Sequence, residues 1–404
     1  MQTRFDSTMR GVLVVALMAL MALSACTGSS APAGGDALQD WPAWQTGENP
    51  PPAPPQIEAV ITDVDALAAV LPTAAAARLF DPVVLGTTIR DLTDPKLIAF
   101  TVRATLAQLH DGSRLDQVYN WYGNPYYNDG VALVPVTFEN RYGTSLYGEI
   151  VLPKRAAMPP GDGPFPVILA LEGVNTNVAM YRWWHQAFAD AGYLVFAFDF
   201  AGQGHSGDRV AGDEGSNITD SEDALTYLLD DSPVRSALDR QRVGVIGHSL
   251  GAITTLGLQA VEPRLHAAVA AAPISESSAP FDANPIPTMI QTGDYDGPVA
   301  PIPLVNPAVV RPVYEKLAGD RAFIVAEASS HAQWTNYPLL PTAQWGFDIA
   351  RTYSIAWMDY QLKHDPAALA VLRTAQPHLS YLWDSEVRVG DEVTVMRGDG
   401  VTVR

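Results

Sequence analysis

The chain is nearly devoid of cysteine. Its single one, Cys26, stands close to the N-terminus. No intrachain disulfide can form, so the folded part must be held by its core alone, and its length permits that. Positive charge is scarce as well. Lys and Arg number 25 against 44 Asp and Glu, a formal net charge of −19. Such a chain repels nucleic acid and anionic lipid surfaces, which excludes both as main ligands. Long apolar runs are missing too: the run from Gly11 to Leu23 is too short to span a bilayer comfortably. No internal repeat is visible, and 404 residues suit one large α/β domain with extensions, or two domains. What the chain has in quantity is apolar surface. At 48% hydrophobic and 17% charged residues it can bury a sizeable core.

The N-terminus is organised for export. Arg4 and Arg10 precede the apolar run, which ends in Leu23-Ser24-Ala25-Cys26. This resembles a bacterial lipoprotein signal, residues 1–25, whose removal leaves Cys26 lipidated as the new N-terminus. The expectation is an exported protein, anchored to the cell membrane through the lipid on Cys26, with its folded part outside the cytoplasm. An ordinary secretory signal with an incidental cysteine is the alternative, and it also leads out of the cytosol. Residues 26–56 hold Gly34-Gly35 and the run Pro50-Pro51-Pro52-Ala53-Pro54-Pro55, and read as a flexible, then extended tether. Residues 57–125 are Ala- and Leu-rich, with acidic starts at Asp63 and Asp94, and read as a helical extension.

The pattern changes at the segment 126–375. Val131 to Phe138 and Ser145 to Pro153 are strand-like, with Asn140-Arg141-Tyr142-Gly143 offering a turn between them, which predicts an antiparallel pair. Six apolar runs follow: Phe165 to Leu171, Tyr193 to Phe198, Arg242 to Ile246, Leu265 to Ala271, Pro287 to Gln291 and Ala322 to Ala326. Near-continuous apolar strands alternating with helices indicate an α/β fold with a mostly parallel sheet, buried on both faces. Ligands in such sheets bind at the carboxyl ends of the strands. Residues 376–404 alternate polar and apolar positions around Gly390-Asp391 and Gly398-Asp399-Gly400, and read as small β-hairpins added after the main fold.

Chemistry-bearing residues gather where the strands stop. Gly247-His248-Ser249-Leu250-Gly251 lies between an apolar β-branched run and a helix-forming one. Strand, sharp turn and helix are the context in which G-x-S-x-G marks a nucleophile, with small flanks because a side chain there would strike its neighbours. A serine hydroxyl needs a base, and the base needs a third group to fix its tautomer. Pro287 to Gln291 runs into Asp294 and Asp296, and the last run ends before His331. His205 lies in a glycine loop and His248 in the elbow itself; His185, His266 and His364 fall in helices or flanks. Acyl transfer also needs oxyanion donors. The backbone N–H of Leu250 is one candidate and that of Val174, in the loop Glu172-Gly173-Val174-Asn175, is the other. Ala201 to Gly207 lacks the lysine and spacing of a phosphate-binding loop and reads as a tight turn. Asp208, Asp213, Glu214, Asp220, Glu222 and Asp223 lack the spacing of a calcium loop and read as a solvated loop and helix start.

On the elbow, on Asp199 to Ser206, on Gly293-Asp294-Tyr295-Asp296 and on His331, the chain resembles the α/β-hydrolase superfamily. Within it the dienelactone-hydrolase-like and lipase/cutinase-like esterases are nearest. The resemblance implies an α/β-hydrolase fold with helices on both faces of the sheet. It implies ester hydrolysis through an acyl-enzyme, on a small or polymeric ester, with no metal and no organic cofactor. It implies the triad Ser249, Asp296 and His331, because Gly-x-x-Asp-x-x-Val puts Asp296 where the family's acid stands; Asp294, an expected turn cap, is the alternative acid. Glu172-Gly173 replaces the usual His-Gly. The short stretch between Pro273 and Pro287 leaves no room for a large helical cap. Trp183, Trp184, Trp334 and Trp345 could line an acyl or aromatic subsite; tryptophans are more often core, and only Trp334, near His331, is favoured for the pocket. The same triad could serve a peptidase or an acyltransferase. A non-catalytic envelope-binding protein on a hydrolase fold is the reading from another class.

Overall fold

The computed structural model describes residues 133–153, 164–174, 176–273, 286–294, 296, 307–327, 329, 331–335, 344–398 and 400–403. The signal at 1–25 with Cys26, the tether at 26–56, the helical extension at 57–125 and the side chain of Trp345 lie outside the described residues, as does most of the stretch between Pro273 and Pro287.

The antiparallel pair is β1 (Leu133–Glu139) and β2 (Ser145–Val151). Asn140 closes its turn: its Oδ1 accepts the N–H groups of Tyr142 and Thr144 at 3.0 and 2.9 Å, and Gly143 takes a φ of +86° that a side chain would resist. β1 alternates buried Val134, Val136 and Phe138 with outward neighbours, as an edge strand does. The six apolar runs become β3 (Phe165–Leu171), β4 (Leu194–Phe198), β5 (Leu238–His248), β6 (Ala267–Ala271), β7 (Thr288–Gly293) and β8 (Arg321–Ala326). Every residue of β3, β4, β6 and β7 is buried, because helices cover both faces.

Among the described residues the α-helices are α1 (Arg182–Asp190), α2 (Asn217–Thr226), α3 (Leu250–Leu258), α4 (Pro307–Glu315), α5 (Gln344–Lys363) and α6 (Pro366–Leu372). Trp183, Trp184 and Phe188 of α1 pack with Phe347, Tyr353 and Trp357 of α5 on one face, onto Ile168 and Ala170 of β3. Val167, Leu169 and Leu171 turn to the other face, where they meet Leu225 of α2. Period-two alternation within a wholly apolar strand thus feeds two cores. Among the described residues no helix is long and apolar enough to cross a membrane.

The strands form a single sheet in the order β1-β2-β4-β3-β5-β6-β7-β8-β9-β10-β11, where β9 (Ser385–Val389), β10 (Glu392–Arg397) and β11 (Gly400–Val403) close the chain. β3 to β8 pair in parallel. The tail at 376–404 does form hairpins, but not as a separate appendage. β9 pairs antiparallel with β8, so the central sheet simply continues. Its edge offered unpaired N–H and C=O groups, and the alternating tail satisfies them. β4 lies on one side of β3 and β5 on the other. The winding direction reverses there, and a crevice opens beyond the carboxyl ends of β3 and β5.

Candidate active site

β5 delivers Ser249 into that crevice and α3 starts at the next residue. Ser249 takes φ +56° and ψ −114°, a conformation that costs an L-residue free energy and persists only when its surroundings enforce it. They do so from both sides. Its N–H donates to the Ala271 carbonyl at 2.9 Å, and its own carbonyl accepts the N–H of Ile253 at 3.1 Å. The flanks must be bare. A Cβ on Gly247 would lie 2.3 Å from the Gly251 oxygen, and one on Gly251 would lie 2.3 Å from the Leu171 oxygen.

His331 opens a short 3-10 turn, His331–Trp334, beyond β8. Its Nε2 stands 2.9 Å from Ser249 Oγ, and its Nδ1 stands 3.1 Å from Asp296 Oδ1. A carboxylate only accepts, so Nδ1 carries the proton and the Nε2 lone pair faces the serine. Asp296 is fully buried and lies beyond the end of β7; Thr292 Oγ1 donates a long bond of 3.4 Å to its second oxygen. Asp294, the alternative acid, is held differently. Its N–H donates to the Ala326 carbonyl at 3.1 Å, tying the end of β7 to β8. The structure therefore brings Ser249, His331 and Asp296 together, and Asp296 rather than Asp294 is the carboxylate on the ring. Only 18% of the His331 side chain and 5% of Ser249 are exposed, so the pair forms the floor of the crevice.

Leu250 is the first residue of α3. Its N–H belongs to a first turn without intrahelical acceptors, at the positive end of the helix dipole. Val174 follows Gly173 beyond β3 and is half exposed. Gly173 backs onto the elbow: a Cβ there would lie 3.4 Å from Ser249 Cβ. Leu250 thus adjoins the serine in sequence, and the loop that carries Val174 packs against it through Gly173.

Glu172 acts as an internal tie. Its Oε1 accepts the N–H of Phe200 at 2.9 Å and the amide of Gln203 at 2.7 Å. Burial and the Asp199 charge raise its pKa well above the usual carboxylate range, which favours the neutral acid. Asp199 in turn accepts the N–H groups of Val178 at 2.8 Å and His205 at 2.7 Å. The Gly202 to Gly207 segment is a tight turn closed by Gly202 N–H on the Gly207 carbonyl at 2.9 Å.

Two expectations need correction. Trp334 does not wall a subsite; it is 1% exposed. Its Nε1 donates to Gln291 at 3.0 Å, and its carbonyl accepts Trp183 Nε1 at 3.1 Å. Trp183 and Trp184, as expected of most tryptophans, are core residues, equally buried and stacked on each other. A large ring gains more from full burial than from a wet rim. Nor is the acidic stretch merely solvated. Asp213 and Asp220 are buried on Arg209 and on Asn140, where they staple the β1–β2 turn to α2. Among the described residues no group of three His, Cys, Asp or Glu is placed to hold a metal ion. Sequence reasoning missed Gln291 and Tyr181, the polar partners behind the site. Neither sits in a motif, and only their burial beside the site marks them.

A doubly covered parallel sheet with a strained serine at the elbow between β5 and α3 defines an α/β hydrolase. The model of the PETase family, described as PET hydrolase-like, matches residues 142–375, more than half of the chain, and the chain belongs to that family. Cutinase est2 of Thermobifida alba is 27% identical over 190 residues, 46% of this chain and 55% of that protein. A bis(hydroxyethyl) terephthalate hydrolase of Streptomyces coelicolor is 28% identical over 173 residues, 42% of this chain and 51% of that protein. The chain spans about half the length of these curated relatives. A ferulic acid esterase structure from Streptomyces cinnamoneus matches with a TM-score of 0.47 and 16% identity, over 59% of this chain and 92% of that one.

Proposed function

We propose that this protein is a serine hydrolase that cleaves carboxylic esters through an acyl-enzyme. The observation that carries the reading is His331, with Ser249 Oγ at 2.9 Å on one ring nitrogen and the buried Asp296 at 3.1 Å on the other. Ser249 Oγ attacks the ester carbonyl while His331 Nε2 takes its proton. Asp296 stabilises the imidazolium that forms. The carbonyl oxygen becomes an oxyanion and takes the N–H groups of Leu250 and Val174, each such donor contributing about 3–4 kcal/mol at the transition state. The C–O bond to the leaving group breaks, and His331 returns the proton to the departing alcohol. A water then repeats the sequence on the acyl-enzyme and frees the acid.

The family and the bis(hydroxyethyl) terephthalate hydrolase among its relatives support small or polymeric esters, terephthalate esters among them, as the substrate class. Hydrolysis of a p-nitrophenyl ester and of bis(hydroxyethyl) terephthalate, with Ser249→Ala as control, tests the reading. Turnover that survives in the variant removes it. A fluorophosphonate probe should label the wild-type chain at Ser249, whereas a binding protein on this fold stays unlabelled. Export with a lipid on Cys26 completes the proposal, supported by Leu23-Ser24-Ala25-Cys26 behind an apolar run. Membrane association that persists unchanged in Cys26→Ser removes that part.

A further inference from the structure

Gly173, Tyr181, His248 and His331 form one directed hydrogen-bond chain behind the serine. Gly173 N–H donates to Tyr181 Oη at 2.9 Å. Tyr181 Oη and His248 Nδ1 are 2.9 Å apart, and His248 Nε2 lies 2.8 Å from the His331 carbonyl oxygen. A carbonyl can only accept, so His248 Nε2 holds the proton that reaches His331. In a neutral ring Nδ1 then carries a lone pair, and the Tyr181 hydroxyl, whose oxygen accepts from Gly173, gives its proton to Nδ1. Burial, and next the neighbouring His331, lower the pKa of His248 well below the ordinary histidine range, and burial raises that of the Tyr181 phenol.

The two ends of this chain matter for different parts of the chemistry. Gly173 precedes Val174 in the loop of the second oxyanion donor, and His331 is the base. Packing reinforces the link. A Cβ on Gly173 would come 2.8 Å from Tyr181 Oη and 3.4 Å from His248 Nδ1, so the loop can close onto the pair only as glycine. The His248 ring is tilted against His331, with centroids 4.8 Å apart, and is stacked on Trp334 at 5.7 Å. Thr176 Oγ1 donates to the Gly173 carbonyl at 2.8 Å, which holds the same loop from its other side.

We infer that Tyr181 and His248 are a positioning pair that couples the oxyanion loop to the base turn, so that donor and base keep one mutual register through the reaction. The inference rests on the esterase reading and names residues that act through Gly173 and His331 rather than on substrate. Misplacing a reacting group by about 1 Å costs on the order of 100-fold in rate. Loss of either member should cost less, because the elbow and the Asp296 contact remain.

The test is a double-mutant cycle of Tyr181→Phe and His248→Phe on the full chain, read as kcat per site titrated with a fluorophosphonate, well below the melting temperature. Each single variant should lose about tenfold in kcat with KM within about twofold, and the double variant should lose about tenfold rather than 100-fold, because the pair acts as a unit. His248→Gln, which keeps an N–H for the His331 carbonyl, should recover part of the loss. Single variants with unchanged kcat per titrated site, or losses that multiply in the double variant, overturn the inference while the esterase reading stands. A wild-type rate no higher than that of Ser249→Ala overturns both.

Discussion

Gly293 lies directly against Ser329: a Cβ on the glycine would stand 1.7 Å from the Ser329 carbonyl oxygen. The first residue ends the strand that leads to Asp296, and the second lies in the loop that leads to His331. Acid and base can meet at 3.1 Å only because the two loops touch here without a side chain between them. Backbone cannot give way as the far end of a flexible side chain can. Gly293→Ala should therefore cost about 3 kcal/mol of stability and lower kcat as well. Urea unfolding with kcat on the folded fraction checks both; an unperturbed kcat would show that the close approach is dispensable.

Asp296→Asn and Asp294→Asn should behave differently. The first leaves an amide on His331 Nδ1, which favours the wrong tautomer and should lower kcat by about ten thousandfold. The second touches a carboxylate that the structure does not place on the ring, and should leave kcat within about tenfold. Steady-state kinetics with circular dichroism on both variants decides it. Comparable losses would mean that the acid has been misassigned.

Glu172 should tolerate amidation. A buried acid whose raised pKa favours the neutral form, and whose Oε1 accepts from Phe200 and Gln203, is closely matched by glutamine. Glu172→Gln should keep stability within about 1 kcal/mol, whereas Glu172→Ala should lose about 1–3 kcal/mol by orphaning buried donors. Equal destabilisation in the two variants would indicate that the charged form is the native one.

Acid should weaken the fold through His185. Burial lowers its pKa from 6.5 to about 3, and its Nδ1 has no hydrogen-bond partner among the described residues. Above pH 6.5 neither folded nor unfolded chain binds a proton there. As pH falls toward 3, only the unfolded chain does, and stability drops by about 1.4 kcal/mol per pH unit. His185→Met should flatten that decline between pH 6 and pH 4 in a series of melting curves. An unchanged slope would assign the acid sensitivity to other groups.

Much of the molecule was legible because local pattern and tertiary role coincide. The six apolar runs read as buried parallel strands since no other element needs so many consecutive apolar residues over so short a length. Gly247-His248-Ser249-Leu250-Gly251 announced a strained turn, because bare flanks serve little else between such runs. The histidine was legible by its place after the last parallel strand. Its carboxylate was only half legible: Asp294 and Asp296 both follow β7, and a two-residue offset in a loop is set by contacts, not by periodicity. Trp334 was misread for a related reason. Nearness to His331 in sequence says nothing of which way a ring turns, and Gln291, from another strand, holds it inward.

The order of residues alone determined a doubly covered sheet, a serine on a sharp turn, and an acid and a base delivered later at neighbouring strand ends. These are consequences of hydrophobic period and backbone sterics, which act over a few residues at a time. Only the folded chain decided that Asp296 meets the imidazole, that Glu172 ties down Phe200 and Gln203, that the last three strands prolong the main sheet, and that Tyr181 and His248 join two loops behind the serine. Each of those rests on hydrogen bonds, burial or strand pairing between segments far apart in sequence, and such contacts exist only once the sheet has brought the strand ends together.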